Sequence, residues 1–140
     1  MKQILLLSIC CLRLSLQAQS ETEAIKETLN KYLRGSSYSE PETILEAFYE
    51  EADLFLYKEG EDIFLWTPQQ YATAMGKREQ GKYNGREGTI LAVDYANNIA
   101  TAKAEIYIPK ANLRFIDLFL LKKLDGQWKI ISKAATKIEE

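Results

Sequence analysis

The ionisable residue best placed for a chemical role is Asp117, within an apolar segment that runs from Phe115 to Leu121. Alternate side chains of an extended strand point to the same face, so Asp117 shares a face with Phe115 and Phe119. Burial disfavours the charged form of a carboxyl group unless a partner compensates it. Two interpretations follow: Asp117 is a proton donor or acceptor in a pocket, or it is an architectural residue paired with Lys, Arg or a helix-end amide.

Other catalytic chemistries are limited by what the composition lacks. The chain has no His, and its 2 Cys are adjacent, at Cys10 and Cys11. If that N-terminal segment is removed, a Ser-His-Asp or Cys-His triad, a His- or Cys-ligated zinc, a haem His and a disulfide framework are all excluded. We therefore expect no metal and no cofactor. An enzyme would have to use Asp, Glu, Tyr or Lys, with Asp117 and either Tyr57 or Tyr107 as the pair to test.

Aromatic side chains are the other candidates for a ligand site, because rings pack on ligands and Tyr hydroxyls can donate hydrogen bonds. The residues that we expect to line a ligand-binding pocket are Tyr32, Phe48, Tyr57, Trp66, Tyr107, Phe115, Asp117 and Phe119. For any single aromatic residue, packing in the core is the simpler explanation. The charged clusters Arg86-Glu87 and Lys77-Arg78-Glu79 are typical of solvated loops and helix ends, and we expect no role for them.

The N-terminus has the pattern of a secretory signal peptide. Lys2 precedes an apolar stretch from Ile4 to Leu12, and a short segment with small and polar residues follows up to Ser20. This stretch is about half of the ~20 residues that span a bilayer, so we expect no integral membrane segment. We assign residues 1–18 to the signal peptide and 19–140 to a single domain, exported to the periplasm or outside the cell. The alternative is a buried N-terminal helix.

Length and charge narrow the class of protein further. The chain has 140 residues, of which 46% are hydrophobic and 27% charged, which is typical of one folded domain. Loss of Lys2 and Arg13 with the signal peptide leaves 16 basic and 20 acidic residues, a net charge of −4. That charge does not favour nucleic acid as a partner.

Three helices are predicted in the first half of the chain. Each begins with a helix-start pattern: a capping box at Ser20–Glu23, an early proline in Ser39-Glu40-Pro41, and another in Thr67-Pro68. The helices are predicted to run from Ser20 to near Gly35, from Pro41 through an apolar stripe that ends at Tyr49, and from Pro68 to about Lys77.

Strands dominate the rest of the sequence. The predicted strands are Leu54–Tyr57, Ile63–Thr67, Thr89–Tyr95, Ile99–Ile108, Leu113–Leu124 and Trp128–Lys137. A polar turn around Gly60 joins the first two, and a loop centred on Asn84-Gly85 precedes the third.

Asp125-Gly126 predicts a two-residue hairpin turn, which fixes the register of the last strand pair. The opposed pairs in that register are Leu124–Gln127, Phe119–Ser132 and Asp117–Ala134. Lys133 then falls on the opposite face, with Leu118 and Leu120. Because both faces are largely apolar, we expect helices to cover one of them and a partner subunit or a long loop to cover the other.

The order of two helices, a hairpin, a helix and a four-stranded meander is that of the nuclear transport factor 2-like fold. The segment Phe115–Lys133, FIDLFLLKKLDGQWKIISK, resembles the closing strand pair of the putative lumazine-binding family. Tyr83-Asn84-Gly85, Ile90–Asp94 and Ala100–Ala104 are similar to the middle section of that family. The resemblance covers about Glu23 to Lys133. Ketosteroid isomerase and the polyketide cyclases belong to the same superfamily.

The resemblance implies an α+β cone, with three helices of the N-terminal half packed on a curved antiparallel sheet that has a mixed edge. It also implies a pocket between the concave face and the helices. Ketosteroid isomerase holds a protonated aspartic acid in such an apolar site. Within this fold, we favour an exported, homodimeric protein that binds an unidentified small apolar or aromatic molecule or serves as an accessory protein. One alternative is a dimer whose pocket is vestigial and filled. The other is an isomerase, dehydratase or cyclase, and a hydrogen-bonded polar pair in a solvent-connected cavity would favour that enzyme.

Overall fold

The computed structural model describes the backbone of residues 2–139 and the side chains of residues 20–139. The predicted signal peptide, residues 1–18, lies outside the fully described residues. The helices are α1 (Lys2–Tyr38), α2 (Pro41–Ala47) and α3 (Pro68–Met75), with a 3₁₀ turn at Pro109–Ala111. The strands are β1 (Phe48–Lys58), β2 (Glu61–Trp66), β3 (Glu87–Ala96), β4 (Ile99–Ile108), β5 (Leu113–Leu124) and β6 (Gln127–Ile138). Across these described residues, no helix is both long enough and apolar enough to span a membrane.

The six strands form one sheet in the order β2-β1-β6-β5-β4-β3. Neighbouring strands are antiparallel except β1 and β6, which are parallel. The helices pack against one face of this sheet, and the core lies between them. The predicted α+β fold, with helices on a curved, mixed sheet, is confirmed, and β5 and β6 occupy its centre.

The apolar stripe of α1 was predicted correctly from its helical spacing. Ile25, Leu29 and Tyr32 are fully buried, and they lie one above another on the face that meets the sheet. Gly35 allows α1 to cross α2, because a Cβ atom there would lie 2.7 Å from a side-chain carbon of Ile44. This helix continues past its predicted end near Gly35, to Tyr38.

The second helix is shorter than its apolar stripe predicts. Phe48 and Tyr49 belong to β1, which starts six residues before the predicted Leu54, and α2 ends at Ala47. A buried strand start and a helical stripe give the same short apolar pattern, so periodicity alone could not separate them. The predicted start of α3 is confirmed, because the Thr67 hydroxyl accepts from the Gln70 backbone N–H in a capping box.

The hairpin β5–β6 keeps the predicted register only next to its turn. Asp125 and Gly126 have φ angles of 48° and 79°, as a tight hairpin turn requires, and Leu124 pairs with Gln127. A register shift between Leu120 and Leu121 then moves the pairing by one residue. The observed pairs are Phe119–Lys133 and Asp117–Ala135 instead of Phe119–Ser132 and Asp117–Ala134.

This shift decides which face carries charge. The prediction that Lys133 lies on the opposite face from Asp117 was wrong, because a one-residue slip exchanges the faces of a strand. Lys133 and Asp117 therefore both lie on the face that the helices cover, and each is 2% exposed. We call this the inner face of the sheet and the opposite one the outer face.

Candidate functional site

A cavity of about 280 Å³ lies between the inner face of the sheet and the helices, and it is partly open to solvent. Its apolar wall consists mainly of Leu56, Phe64, Met75, Ile106, Ile108 and Phe115. Five buried polar residues line the same cavity: Tyr32, Tyr71, Arg86, Asp117 and Lys133. All five are less than 10% exposed, whereas Tyr57, which also lines the cavity, is 40% exposed. The polar group therefore forms the inner end of the cavity, and Tyr57 lies at its rim.

Asp117 is held by two donors at this inner end. Its Oδ2 accepts a hydrogen bond of 2.6 Å from the Tyr32 hydroxyl and one of 2.8 Å from Lys133 Nζ. The contact with Lys133 is a salt bridge between two buried side chains. Hydrogen bonds between ionised groups are the strong ones, so this pair compensates the burial of both charges.

The Tyr32 hydroxyl joins Asp117 to Arg86. It accepts a 2.9 Å hydrogen bond from Arg86 Nη2 while it donates to Asp117. The hydroxyl of Tyr71 lies 3.5 Å from it, and Ser36 Oγ lies 3.1 Å from the Tyr71 hydroxyl. Burial raises the pKa of Tyr32 well above its ordinary value, and the negative charge of Asp117 adds to the rise. Tyr32 is therefore a neutral donor at physiological pH.

Arg86 is the one buried residue of this group that keeps an unsatisfied donor. Its side chain is 8% exposed, and its Nη1 has no hydrogen-bond partner within the part of the chain that the structure describes. Burial opposes the positive charge, but Tyr71, Tyr32 and Asp117 more than offset this and raise the pKa of Arg86. The guanidinium is therefore a permanent cation at the inner end of the cavity.

Arg86 is positioned by the loop between α3 and β3. Its backbone N–H donates to Asn84 Oδ1 at 3.1 Å, and its carbonyl accepts from Ser37 Oγ at 2.6 Å. Asn84 is tied to α1 in turn, because its Nδ2 donates to the Ser36 carbonyl at 2.8 Å. Gly85, with a φ angle of 90°, makes the turn between Asn84 and Arg86. The end of α1 and the start of β3 thus fix the guanidinium together.

The structure brings several predicted site residues to the cavity and places others elsewhere. Tyr32, Tyr57, Trp66, Phe115 and Asp117 line it. Phe48 and Phe119 are core residues, whose rings pack edge-on against Tyr32 with centroids 5.6 and 5.5 Å away. Tyr107 alternates with the cavity-lining Ile106 and Ile108, so it lies on the outer face, where the Arg114 guanidinium is 3.9 Å from its ring centre. The phenol that pairs with Asp117 is Tyr32, not Tyr57 or Tyr107.

The sequence analysis missed three polar residues of the cavity. Arg86 was taken for a solvated loop charge, which was wrong, because it is buried and hydrogen-bonded. The Asn84-Gly85 turn just before a strand is a signal for a fixed loop that could have pointed to Arg86. Lys133 was assigned to the wrong face by the unrecognised register shift. Tyr71 also lines the cavity and was not among the residues predicted for the pocket.

The polar group does not offer a metal site. Among the described residues, no three His, Cys, Asp or Glu side chains come together in a way that could hold a metal ion. What it offers is an unpartnered donor, Nη1 of Arg86, beside a carboxylate whose Oδ2 already accepts from two partners. The arrangement can bind the acceptor group of a small molecule whose remaining atoms contact the apolar wall.

Solved structures share this fold. A nuclear transport factor 2-like protein of unknown function from Shewanella baltica has a TM-score of 0.74 at 23% identity, over 86% of this chain and 96% of that one. A similar protein from Methylobacillus flagellatus has a TM-score of 0.72 at 26% identity, over 86% and 94%. A ketosteroid isomerase-like protein from Erwinia carotovora has a TM-score of 0.61 at 14% identity, over 84% and 96%.

The class of protein is therefore the nuclear transport factor 2-like fold with a cavity beneath its helices. Within it, residues 20–134 match the family described as putative lumazine-binding, and the chain belongs to that family. This confirms the resemblance found in the sequence. No curated protein matches the chain significantly.

Proposed function

We propose that this protein is an exported binding or accessory protein that takes up a small apolar or aromatic molecule in the cavity beneath α1. The observation that carries the proposal is the division of the cavity into an apolar wall and a polar inner end with a free donor. Ligand sites in proteins typically combine an apolar lining with a few convergent polar groups. Membership of a family named for binding of a small molecule supports the same proposal.

The size of the cavity limits the ligand. About 280 Å³ is close to the lower end of the roughly 300–1,000 Å³ typical of small-molecule sites. The wall includes the rings of Phe64, Phe115 and Tyr57, with the Tyr57 and Phe115 centroids 5.9 Å apart. A flat one- or two-ring molecule suits this space, because offset or edge-on ring contacts stabilise it in addition to the area it buries.

Filling the cavity tests the proposal against a matched control. Ala135 lines the cavity, and its neighbour Ala134 is exposed on the outer face. We expect Ala135→Phe to abolish the binding of 2-naphthol in isothermal titration, whereas Ala134→Phe binds like the wild type. Equal binding by both variants would place the ligand elsewhere, and no binding by the wild type at millimolar concentration would contradict a site for aromatic molecules.

Catalysis of an isomerase, dehydratase or cyclase type is the second candidate, favoured by the 2.6 Å contact between Tyr32 and Asp117 in a partly open cavity. A general base needs a free lone pair within reach of the substrate proton. Both hydrogen bonds to Asp117 end on Oδ2, so Oδ1 keeps its lone pairs and is the atom that would take the substrate proton, while Tyr32 already donates its own proton to Oδ2. If a ligand incubated with the wild type is recovered in chemically altered form, and the same ligand is recovered unchanged from Asp117→Asn, catalysis is established. A ligand that is recovered unchanged from the wild type supports binding alone.

The proposal that the protein is exported rests on residues 1–18, and it is tested by determining where the mature protein begins. The pattern of Lys2, the apolar stretch and the residues before Ser20 supports a cleaved signal peptide. We expect the full chain, expressed in a bacterial host, to yield a shortened protein in the periplasm or medium that begins near Gln19, as measured by intact-mass spectrometry. A 16.0 kDa chain retained in the cytoplasm would contradict export.

We also propose a homodimer that forms through the outer face of the sheet. Exposed apolar residues continue there across four neighbouring strands, because the register aligns Leu65, Phe55, Ala134 and Leu118 in one row. Leu120, also exposed, lies beside that row. Monomeric proteins rarely expose a large contiguous apolar patch. A two-fold dimer would cover the same row on both copies.

A further inference from the structure

The charges at the inner end of the cavity do not balance. Asp117 carries one negative charge and is paired with Lys133. Arg86 adds a second positive charge, and it forms no ion pair with any residue that the structure describes. Its one hydrogen bond from the side chain goes to the neutral hydroxyl of Tyr32. The inner end of the cavity therefore holds one more positive charge than negative charge.

An excess of buried positive charge costs free energy unless an anion or a set of acceptors compensates it. The cost is met only in part here, because Nη2 has an acceptor and Nη1 has none among the described residues. A bound anion would supply both the missing charge and the missing acceptor. Arg86 lines the cavity, so a molecule in the cavity can reach it.

The number of free donors indicates which anion fits. A phosphate dianion needs several donors, whereas a carboxylate is a planar, singly charged group that one guanidinium edge can hold. Lys133 is already paired with Asp117, which leaves Nη1 of Arg86 as the buried side-chain nitrogen without a partner among the described residues. The remaining wall is apolar and aromatic, which suits the hydrocarbon part of an aromatic acid.

We propose that the natural ligand is an aromatic carboxylic acid, bound with its carboxylate on Nη1 of Arg86 and its ring against the wall at Ile106 and Phe115. This inference rests on the proposed small-molecule binding and names the chemical class of its ligand. Arg86 is then the residue that determines specificity, because a neutral molecule of the same shape leaves the charge of Arg86 uncompensated and binds more weakly.

A matched set of probes tests the inference separately from the proposed function. We expect 2-naphthoate to bind the wild type about tenfold or more tightly than 2-naphthamide, its neutral analogue, in isothermal titration. Arg86→Met should lose this preference and still bind 2-naphthamide. Arg86→Lys should keep part of the preference, because lysine retains the positive charge but lacks the planar set of N–H donors of a guanidinium. Arg78→Met, which changes an exposed loop arginine, should behave like the wild type.

Each result that differs from these expectations contradicts a particular part of the proposal. Equal binding of 2-naphthoate and 2-naphthamide by the wild type would overturn the assignment of an acid and leave the proposed function intact. A preference that persists in Arg86→Met would overturn the role of Arg86, and tighter binding of 2-naphthyl phosphate would overturn the carboxylate. Failure of every probe would contradict the proposed function itself. Circular dichroism and urea unfolding of the Arg86 variants confirm that they fold, as expected because the Asp117–Lys133 pair is left in place.

Discussion

Each face of β5 and β6 departs at particular positions from the usual distribution of polar and apolar side chains. On the inner face, Asp117 and Lys133 are buried beneath the helices at 2% exposure each. On the outer face, Leu118 and Leu120 are 54% and 42% exposed. Neighbouring residues of one strand thus bury a charge and expose an apolar side chain. The usual distribution would place the charges outside and the apolar side chains inside, and the proposed ligand and the proposed second subunit would account for these two departures.

The inner face shows the cost of a polar site within a core. A buried ion pair is often no more stabilising than well-packed apolar residues of the same volume, whereas removal of one partner is costly. The group around Asp117 is therefore understood better as a binding site than as a source of stability. The outer face has no such network, and we propose that its apolar row serves association.

The largest expected effect comes from removing the carboxylate of the inner face. Asp117→Asn should lower the free energy of unfolding by about 3–5 kcal/mol, because it leaves Lys133 and Arg86 buried without a negative charge. The measurement is urea unfolding at neutral pH. Asp53→Asn changes an exposed carboxylate of β1 and should stay within about 0.5 kcal/mol of the wild type. Similar losses in both variants would mean that the two faces do not differ as described.

An intermediate effect is expected from Tyr32→Phe, which removes the hydroxyl between Asp117 and Arg86. Loss of a buried hydrogen bond to charged groups should cost about 2 kcal/mol at neutral pH. Burial, followed by the charge of Asp117, raises the pKa of Tyr32 in the folded state. At a pH above the unfolded pKa, the folded protein thus keeps the Tyr32 proton that the unfolded chain has lost.

The pH dependence of Tyr32 follows from that difference in protons. Its contribution to stability is complete below the unfolded pKa of about 10 and is lost as the pH rises further. The wild type should therefore lose stability above about pH 10 more steeply than Tyr32→Phe does. Equal slopes for the wild type and Tyr32→Phe would contradict the buried position of Tyr32.

The contrast between the two faces could be predicted from the sequence where it depends on local patterns, and not where it depends on contacts between distant residues. Alternation places Asp117 between Phe115 and Phe119 on one face, and the Asp125-Gly126 turn sets the register close to itself. Both are local patterns, and both were predicted. The shift beyond Leu121 leaves no mark that a two-residue period can detect, so Lys133 was placed on the wrong face. Arg86 depends on contacts with α1 that lie about fifty residues away in the chain.

The smallest effect on subunit stability is expected on the outer face. Leu118→Lys should change the free energy of unfolding of the monomer by no more than about 0.5 kcal/mol, because the side chain is already exposed. The same change places a charge within the apolar row, so it should convert a dimer to a monomer in sedimentation equilibrium. Ala92→Lys, at the edge of the sheet on an exposed position, is the control. A monomeric wild type, or a dimer unaffected by Leu118→Lys, would contradict an interface at this row.

Native mass spectrometry of the protein purified from its own source tests the central claim, that the inner face of the sheet binds a small molecule, most directly. We expect a reproducible adduct that is lost on organic extraction, is present in the outer-face variant Ala134→Phe and is absent from the cavity variant Ala135→Phe. An adduct that Ala135→Phe retains, or a wild type that carries none and binds none of the naphthalene probes, would contradict the claim.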